Sequence, residues 1–161
     1  MKIFLSRDRG AVNVPSITFF KFETTTKEAH SAEILTGHFK TVDAKTRLTI
    51  DELRVAMRPS KWIKESFDRH GLTEEVCKTF TPKKVMMRDI FRYMNRNLES
   101  LYICHDEYID FGIKGYFSWI VLKNECLYLD VLQHFKSFFN NCIIDTAESE
   151  EEFFKQLKEK K

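Results

Sequence analysis

Four basic side chains recur at every fourth position in the stretch TPKKVMMRDIFRYMNRNLES, residues 81–100. They are Lys84, Arg88, Arg92 and Arg96, which together we call the basic row. Because a helix turns by about 100° per residue, a four-residue repeat drifts by only about 40° per step. The spacing therefore predicts a helix over about 82–99 with a continuous cationic edge.

The opposite side of this helix is predicted to be apolar, since Met86, Ile90, Met94 and Leu98 each lie two positions after a member of the basic row. The planar fork of arginine can donate two parallel hydrogen bonds to a phosphate. We therefore expect the row to contact nucleic acid or another polyanion. Nearby lysines extend the candidate surface: Lys83, Lys61 and Lys64.

Two other interpretations of the basic row stay open. Residues 1–100 carry 19 Lys and Arg against 13 Asp and Glu, a net charge of +6, whereas residues 101–161 carry 7 against 11, a net charge of −4. The cations can thus be solvated, or paired with carboxylates of the acidic C-terminal part. A protein-docking surface is the remaining alternative.

The stretch CHDE at 104–107 concentrates a thiol, an imidazole and two carboxylates. Neighbouring residues of a strand point to opposite faces, so Cys104 and His105 are poorly placed to act as a nucleophile–base pair. We predict no catalytic residue; His105 and Asp106 would be the first candidates if the protein were an enzyme. The sequence shows no helical metal-ligand spacing and no glycine-rich phosphate loop, so neither a metal nor a cofactor is expected.

The cysteines, at positions 77, 104, 126 and 142, form no C-x-x-C pair. A structural zinc site normally contains such closely spaced ligands. We therefore expect Cys77, Cys104, Cys126 and Cys142 to be reduced and buried.

The elements that must position these residues follow from local signals. Strands are predicted at 2–5 and 16–23, and a short helix in TTTKEAHSAEIL, although that stretch could also pair as a strand. A capping-box pattern of Thr49 and Glu52 predicts a helix in IDELRVAM. Further helices are predicted up to Gly71, from Thr73 and from Pro82, so that central helices cover about 50–99.

After Ser100 the sequence becomes rich in aromatic and β-branched residues. This composition predicts two or three antiparallel strands at about 101–122. A helix around 131–139, a short strand at Cys142–Ile144 and a charged helix at about 147–160 are expected to follow. The prediction is a single α+β domain spanning 1–161, with its C-terminal helix possible as a peripheral element.

No residue-level motif identifies a family. The longest apolar run is far below the roughly 20 residues of a membrane span, and an intracellular protein, cytoplasmic or nuclear, is predicted. The leading functional prediction is a small non-enzymatic protein that contacts nucleic acid or another polyanion through the helix at 82–99. The alternative is a protein-interaction module, such as a viral or phage accessory or assembly protein, which binds through a Phe-rich surface or the C-terminal helix.

Overall fold

The computed structural model describes residues 2–4, 10–28, 30–104, 117–126 and 144–159. In these ranges the strands are β1 (Lys2–Phe4), β2 (Ala11–Asn13), β3 (Ser16–Thr24), β4 (Ile34–Asp43), β5 (Thr49–Ala56), β6 (Leu101–Cys104) and β7 (Ile144–Thr146). The helices are α1 (Lys64–His70), α2 (Glu74–Lys78), α3 (Lys83–Arg96), α4 (Phe117–Cys126) and α5 (Glu150–Glu159).

The main sheet has the strand order β5-β4-β3-β6-β7, and β1 pairs with β2 in a separate two-stranded sheet. Strands β3, β4 and β5 are antiparallel neighbours, whereas β6 runs parallel to β3 and β7 parallel to β6. This combination of helices with a mixed sheet confirms the predicted α+β class.

Strand β3 lies in the middle of the sheet and is buried for most of its length. Phe20 and Phe22 point into a core that includes residues of α3 and α4. Ile17 and Phe19 point into a second core, which includes residues of α5. The aromatic and β-branched composition of SITFFKFET suits such a strand, buried between two layers.

Helix α5 covers part of the sheet face that carries Ile17 and Phe19. Phe153 and Phe154 contact Phe19 in edge-to-face arrangements, with ring centroids 5.6 and 5.8 Å apart. Leu157 is also buried in this core. The apolar face of the tail helix is thus packed against its own chain.

The predicted helix in residues 50–57 is wrong, because this segment is strand β5. Thr49 and Glu52 match the spacing of a capping box, but Leu53 and Val55 alternate with polar residues and pack in the core that contains α3. The ladder with β4, in which Glu52 pairs with Lys40, outweighs the local helix signal.

The prediction of a helix in TTTKEAHSAEIL is also wrong in the described part of that stretch. Residues 25–28 and 30–33 form an irregular connection, and Ile34 and Leu35 begin β4. Both side chains are fully buried. Pairing with β3 therefore decides the conformation here.

The predicted antiparallel strands at 101–122 are corrected on two points. Strand β6 is parallel to β3, and residues 117–122 belong to helix α4. Residues 105–116, and the helix predicted around 131–139, lie outside the described residues. Of the predicted strand at 142–144, only Ile144 is described, as the first residue of β7.

The helix ends set by local chemistry are close to prediction. Gly71 ends α1 with φ 70°, and the Thr73 side chain accepts a hydrogen bond from the Val76 amide at the start of α2. Pro82 is the cap of α3 rather than its first residue. Among the described helices, none combines the length and apolar character that crossing a bilayer demands.

Candidate functional site

The chain changes direction across the sheet between β3 and β6. From β3 it continues to β4 and β5 on one side, whereas β6 and β7 extend the sheet on the other. Phe20 of β3 is opposite Cys104 of β6, so the carboxyl ends of these two parallel strands are neighbours. In open sheets with helices on both faces, ligands bind outside the carboxyl ends of the strands at such a switch point.

Glu23 stands at this end of β3 with its carboxylate half-exposed. The Thr36 hydroxyl of β4 donates a hydrogen bond to Glu23 Oε2 at 3.0 Å. His70 Nδ1, from the last turn of α1, lies 3.7 Å from the same oxygen. The end of α1 is itself fixed to β3, since Arg69 Nη1 donates to the Thr24 carbonyl at 3.2 Å.

A set of charged side chains continues from Glu23 across the same face of β3, β4 and β5, because alternate residues of a strand share a face. We call this set the polar face; its members are Lys21, Glu23, His38, Lys40, Glu52 and Arg54. Lys21 is opposite His38, and His38 is opposite Arg54, so these three form one line across the sheet. Lys40 and Glu52 form the next line, toward α5.

Short contacts order the polar face. His38 Nε2 lies 2.5 Å from Glu52 Oε1, and Arg54 Nη2 lies 3.5 Å from the same carboxylate oxygen. Lys40 Nζ is 3.0 Å from Glu150 Oε2, at the start of α5. A histidine fixed by a carboxylate is a common arrangement for proton transfer, and the lysine and arginine side chains can bind anions.

The basic row lies on the solvent side of α3, as predicted, while Met86, Ile90 and Met94 are buried. Leu98, which was predicted for the apolar side, lies beyond the end of α3 and is exposed. Its members differ in their partners. Arg96 donates two hydrogen bonds to Asp51 of β5, from Nε at 2.6 Å and from Nη2 at 3.0 Å. These hydrogen bonds lower the pKa of Asp51 and raise that of Arg96.

The other members of the basic row are less engaged. Arg92 Nη1 is 3.9 Å from Asp89 on its own helix. In the described part of the chain, no ion pair joins Lys84 or Arg88, and both are exposed. The row is therefore paired at one end, by a residue of β5 and not of the C-terminal part. Whether it binds nucleic acid stays a prediction.

The predicted extension of the row through Lys83 is different in character, because this lysine is largely buried. Lys83 Nζ lies 2.6 Å from Glu33 Oε1 and 3.1 Å from Glu125 Oε2 of α4. Burial alone would lower the Lys83 pKa, but these contacts raise it. Lys61 and Lys64 are exposed, the first just before α1 and the second at its start. Lys83 therefore joins elements of the fold rather than extending a surface.

Two predictions about reactive residues can be followed only in part. His105 and Asp106 lie outside the described residues. Cys77, Cys104 and Cys126 are buried free thiols, and burial raises the pKa of Cys126. Cys142 is not described. Over the ranges that the structure describes, no three His, Cys, Asp or Glu side chains group together as ligands for a metal ion.

Sequence reasoning missed the polar face altogether. Lys21 and Glu23 belong to a segment whose composition is typical of a core strand. Because a helix was predicted at 50–57, Glu52 and Arg54 were not assigned to a strand. The available signal was the alternation of charge in KFE at 21–23, where a buried strand carries two charged residues on one face. Its connection to His38 depends on the strand register, which is not local.

No protein-family model and no curated protein matches the sequence. Solved structures do match. Exonuclease I from Methylocaldum szegediense aligns with a TM-score of 0.61 at 8% identity, over 84% of this chain and 28% of that chain. A product-bound exonuclease I gives a TM-score of 0.61 at 9% identity, over 84% and 30% of the two chains.

Cell-death related nuclease 4 aligns with a TM-score of 0.51 at 12% identity, over 68% of this chain and 40% of that chain. This chain thus spans less than half of the length of each of these nucleases. At such identities the likeness is one of fold. The prediction of a non-enzymatic binding protein, with an interaction module as its alternative, is wrong, because the chain shares the fold of exonucleases.

Proposed function

We propose that the protein acts on nucleic acid as a nuclease, with its site at the carboxyl end of β3. One observation carries the proposal: charged side chains of β3 and its neighbours stand at the switch point of a sheet that has the fold of exonucleases. Lys21 is half-buried and Glu23 is exposed, so both lie where a ligand can reach them near the end of this strand. A polyanionic substrate gives both residues a use.

Each of these side chains suits a step of phosphodiester hydrolysis. The Glu23 carboxylate, held by Thr36 and next to His70, can accept a proton from an attacking water. The Lys21 ammonium, two residues earlier on the same face, can stabilise the negative charge that develops on the phosphate oxygens. Thr36 acts as a positioning residue for Glu23.

The basic row stands on the other side of the sheet, since α3 packs against the face that Phe20 and Phe22 share. Within the proposed function, Lys84, Arg88 and Arg92 would contact backbone phosphates away from the reacting bond, with Lys61 and Lys64 beside them. A protein partner, and the cytoplasmic or nuclear compartment, stay predictions.

The test is degradation of end-labelled DNA and RNA oligonucleotides, single-stranded and duplex, in a buffer that contains Mg²⁺. We expect the wild type to shorten at least one of them. Glu23→Gln should lower the rate by about 100-fold or more, because it removes the proton acceptor and keeps the shape. Thermal unfolding should show that this variant keeps its fold, since Glu23 is half-exposed.

Glu74→Gln is the matched control, because Glu74 is an exposed carboxylate on α2 with only a 3.9 Å contact to Lys78. It should cleave at the wild-type rate. A wild type that leaves every oligonucleotide intact would refute the proposed function. Equal rates for Glu23→Gln and Glu74→Gln would refute the placement of the site.

A further inference from the structure

Lys21, His38 and Arg54 form a line of basic side chains at right angles to the strands, which we call the transverse row. The register places Lys21 directly opposite His38 and His38 directly opposite Arg54. With strands about 4.8 Å apart, the row is about 10 Å long. It begins beside Glu23, at the proposed site, and ends on β5 at the edge of the sheet.

Lys21 and Arg54 are the permanent cations of this row, and His38 lies between them in contact with Glu52. The side chains that offset the charge lie in the adjacent lines: Glu52 contacts His38 and Arg54 from one side, and Glu23 follows Lys21 on the other. The arrangement is therefore a narrow cationic strip with one carboxylate on each border, Glu52 opposite Lys40 and Glu23 opposite Thr36.

The strip remains accessible to a ligand. The Arg54 side chain is 80% exposed and touches Glu52 only at 3.5 Å, so its guanidinium keeps donors for another acceptor. His38 is 35% exposed, and Lys21 is half-buried. Helix α5 covers the line beyond, where Lys40 contacts Glu150, and its buried side chains pack against Phe19.

We propose that the transverse row binds the phosphate backbone of one nucleic acid strand and carries it from the end of β3 across β4 to β5. This inference rests on the proposed function. It adds the path that the substrate follows over the sheet and the conclusion that the substrate is single-stranded. A single backbone fits a strip one side chain wide. The second backbone of a duplex would face Glu52 or Glu23 and be repelled.

Binding can be measured apart from cleavage by fluorescence anisotropy in EDTA, with a labelled oligothymidylate of about 20 nucleotides as the probe. Lys21→Gln and Arg54→Gln should each weaken binding by about threefold to tenfold near 100 mM salt. Each should also reduce the slope of log affinity against log salt by about 0.7, because one fewer counterion is released.

His38→Gln supplies a second readout. It removes the ring between Lys21 and Arg54 and leaves both cations in place. Affinity should fall by about fivefold, the loss of about one hydrogen bond, while thermal unfolding stays near that of the wild type. An affinity equal to that of the wild type would overturn the assignment of His38.

Lys78→Gln is the matched control, because it removes one exposed cation from α2 that belongs to neither the transverse row nor the basic row. It should leave the affinity and the salt slope of the wild type. If affinity falls with Arg92→Gln and not with Arg54→Gln, the path follows the basic row instead and the proposal is overturned. If the protein binds a duplex as tightly as a single strand, the inference that its substrate is single-stranded is overturned.

The two proposals fail in different ways. Binding that is sensitive to Lys21→Gln and Arg54→Gln, in a protein that cleaves nothing, would support the path and refute the nuclease reaction. Cleavage at the wild-type rate by both variants would refute the path and the proposed role of Lys21, and would leave the reaction at Glu23 standing. A wild type that neither binds nor cleaves would refute both.

Discussion

At the scale of the residue, Gly37 shows how tightly the strand that carries the site is held. It pairs with Phe22, which lies between Lys21 and Glu23 in the sequence. A Cβ on Gly37 would collide with the ring of Phe22 and come within 2.9 Å of the Lys21 carbonyl oxygen. The ring of Phe22 also contacts that of Phe39, with centroids 5.5 Å apart. The absence of a side chain at Gly37 therefore makes room for the core.

We expect Gly37→Ala to lower the free energy of unfolding by about 1–3 kcal/mol, the usual cost of overpacking a well-filled interior. Urea denaturation would measure it. Phe22→Leu in the same background should recover part of the loss, because a smaller side chain relieves the collision. A variant as stable as the wild type would show that β3 and β4 separate easily at this point.

At the scale of the element, the buried lysine Lys83 joins parts of the chain that are far apart in sequence. It links the start of α3 to Glu33, just before β4, and to Glu125 in α4. The backbone amides of Ser60 and Lys61 also donate to Glu33. Burial raises the pKa of Glu125, whereas the Lys83 contact helps to lower that of Glu33 despite its burial. One ammonium thus pairs with two carboxylates.

Lys83→Ala should destabilise the protein by about 3–5 kcal/mol, because it leaves those carboxylates buried without a cation. Lys84→Ala, one residue along and exposed, should stay within about 0.5 kcal/mol of the wild type. Urea denaturation of both variants at neutral pH gives the comparison. Equal effects would mean that the contacts of Lys83 add nothing to stability.

The cost of Lys83→Ala should also depend on pH. A carboxyl whose pKa is raised in the folded state contributes stability below its unfolded pKa and loses it as pH rises through the folded value. Without Lys83, the Glu125 pKa rises further. The free energy of unfolding of the variant should therefore differ less from that of the wild type at about pH 5 than at about pH 7. A difference that does not change with pH would indicate that Glu125 is not the group that titrates.

At the scale of the whole molecule, the elements that sequence reasoning recovered are those with local causes. Gly71 ends α1 and Thr73 caps α2 through contacts within a few residues. The α+β class follows from the same local patterns. Strand β5 was missed because Thr49 and Glu52 imitate a helix start, while the partner that overrides them, β4, was itself assigned to no strand.

The candidate site was out of reach for the same reason. Lys21, His38 and Arg54 are 17 and 16 residues apart in sequence and meet only through the registers of two strand pairs. No spacing rule connects them. The basic row, in contrast, depends only on helix periodicity, so its geometry was predicted correctly even though its function stays untested.

The parallel pairing of β3 with β6 has a kinetic consequence. Strands β3, β4 and β5 are joined by short connections, whereas β6 follows β3 only after the whole segment from Thr25 to Ser100. Because closing a long loop costs entropy before any contact repays it, the antiparallel strands should form early and β6 should dock late. Pulse-labelled hydrogen exchange during refolding should show amides of β4 protected before those of β6; the reverse order would contradict this. The switch point between β3 and β6 would then be completed in the last stage of refolding, so the proposed nuclease site would form only when that stage ends.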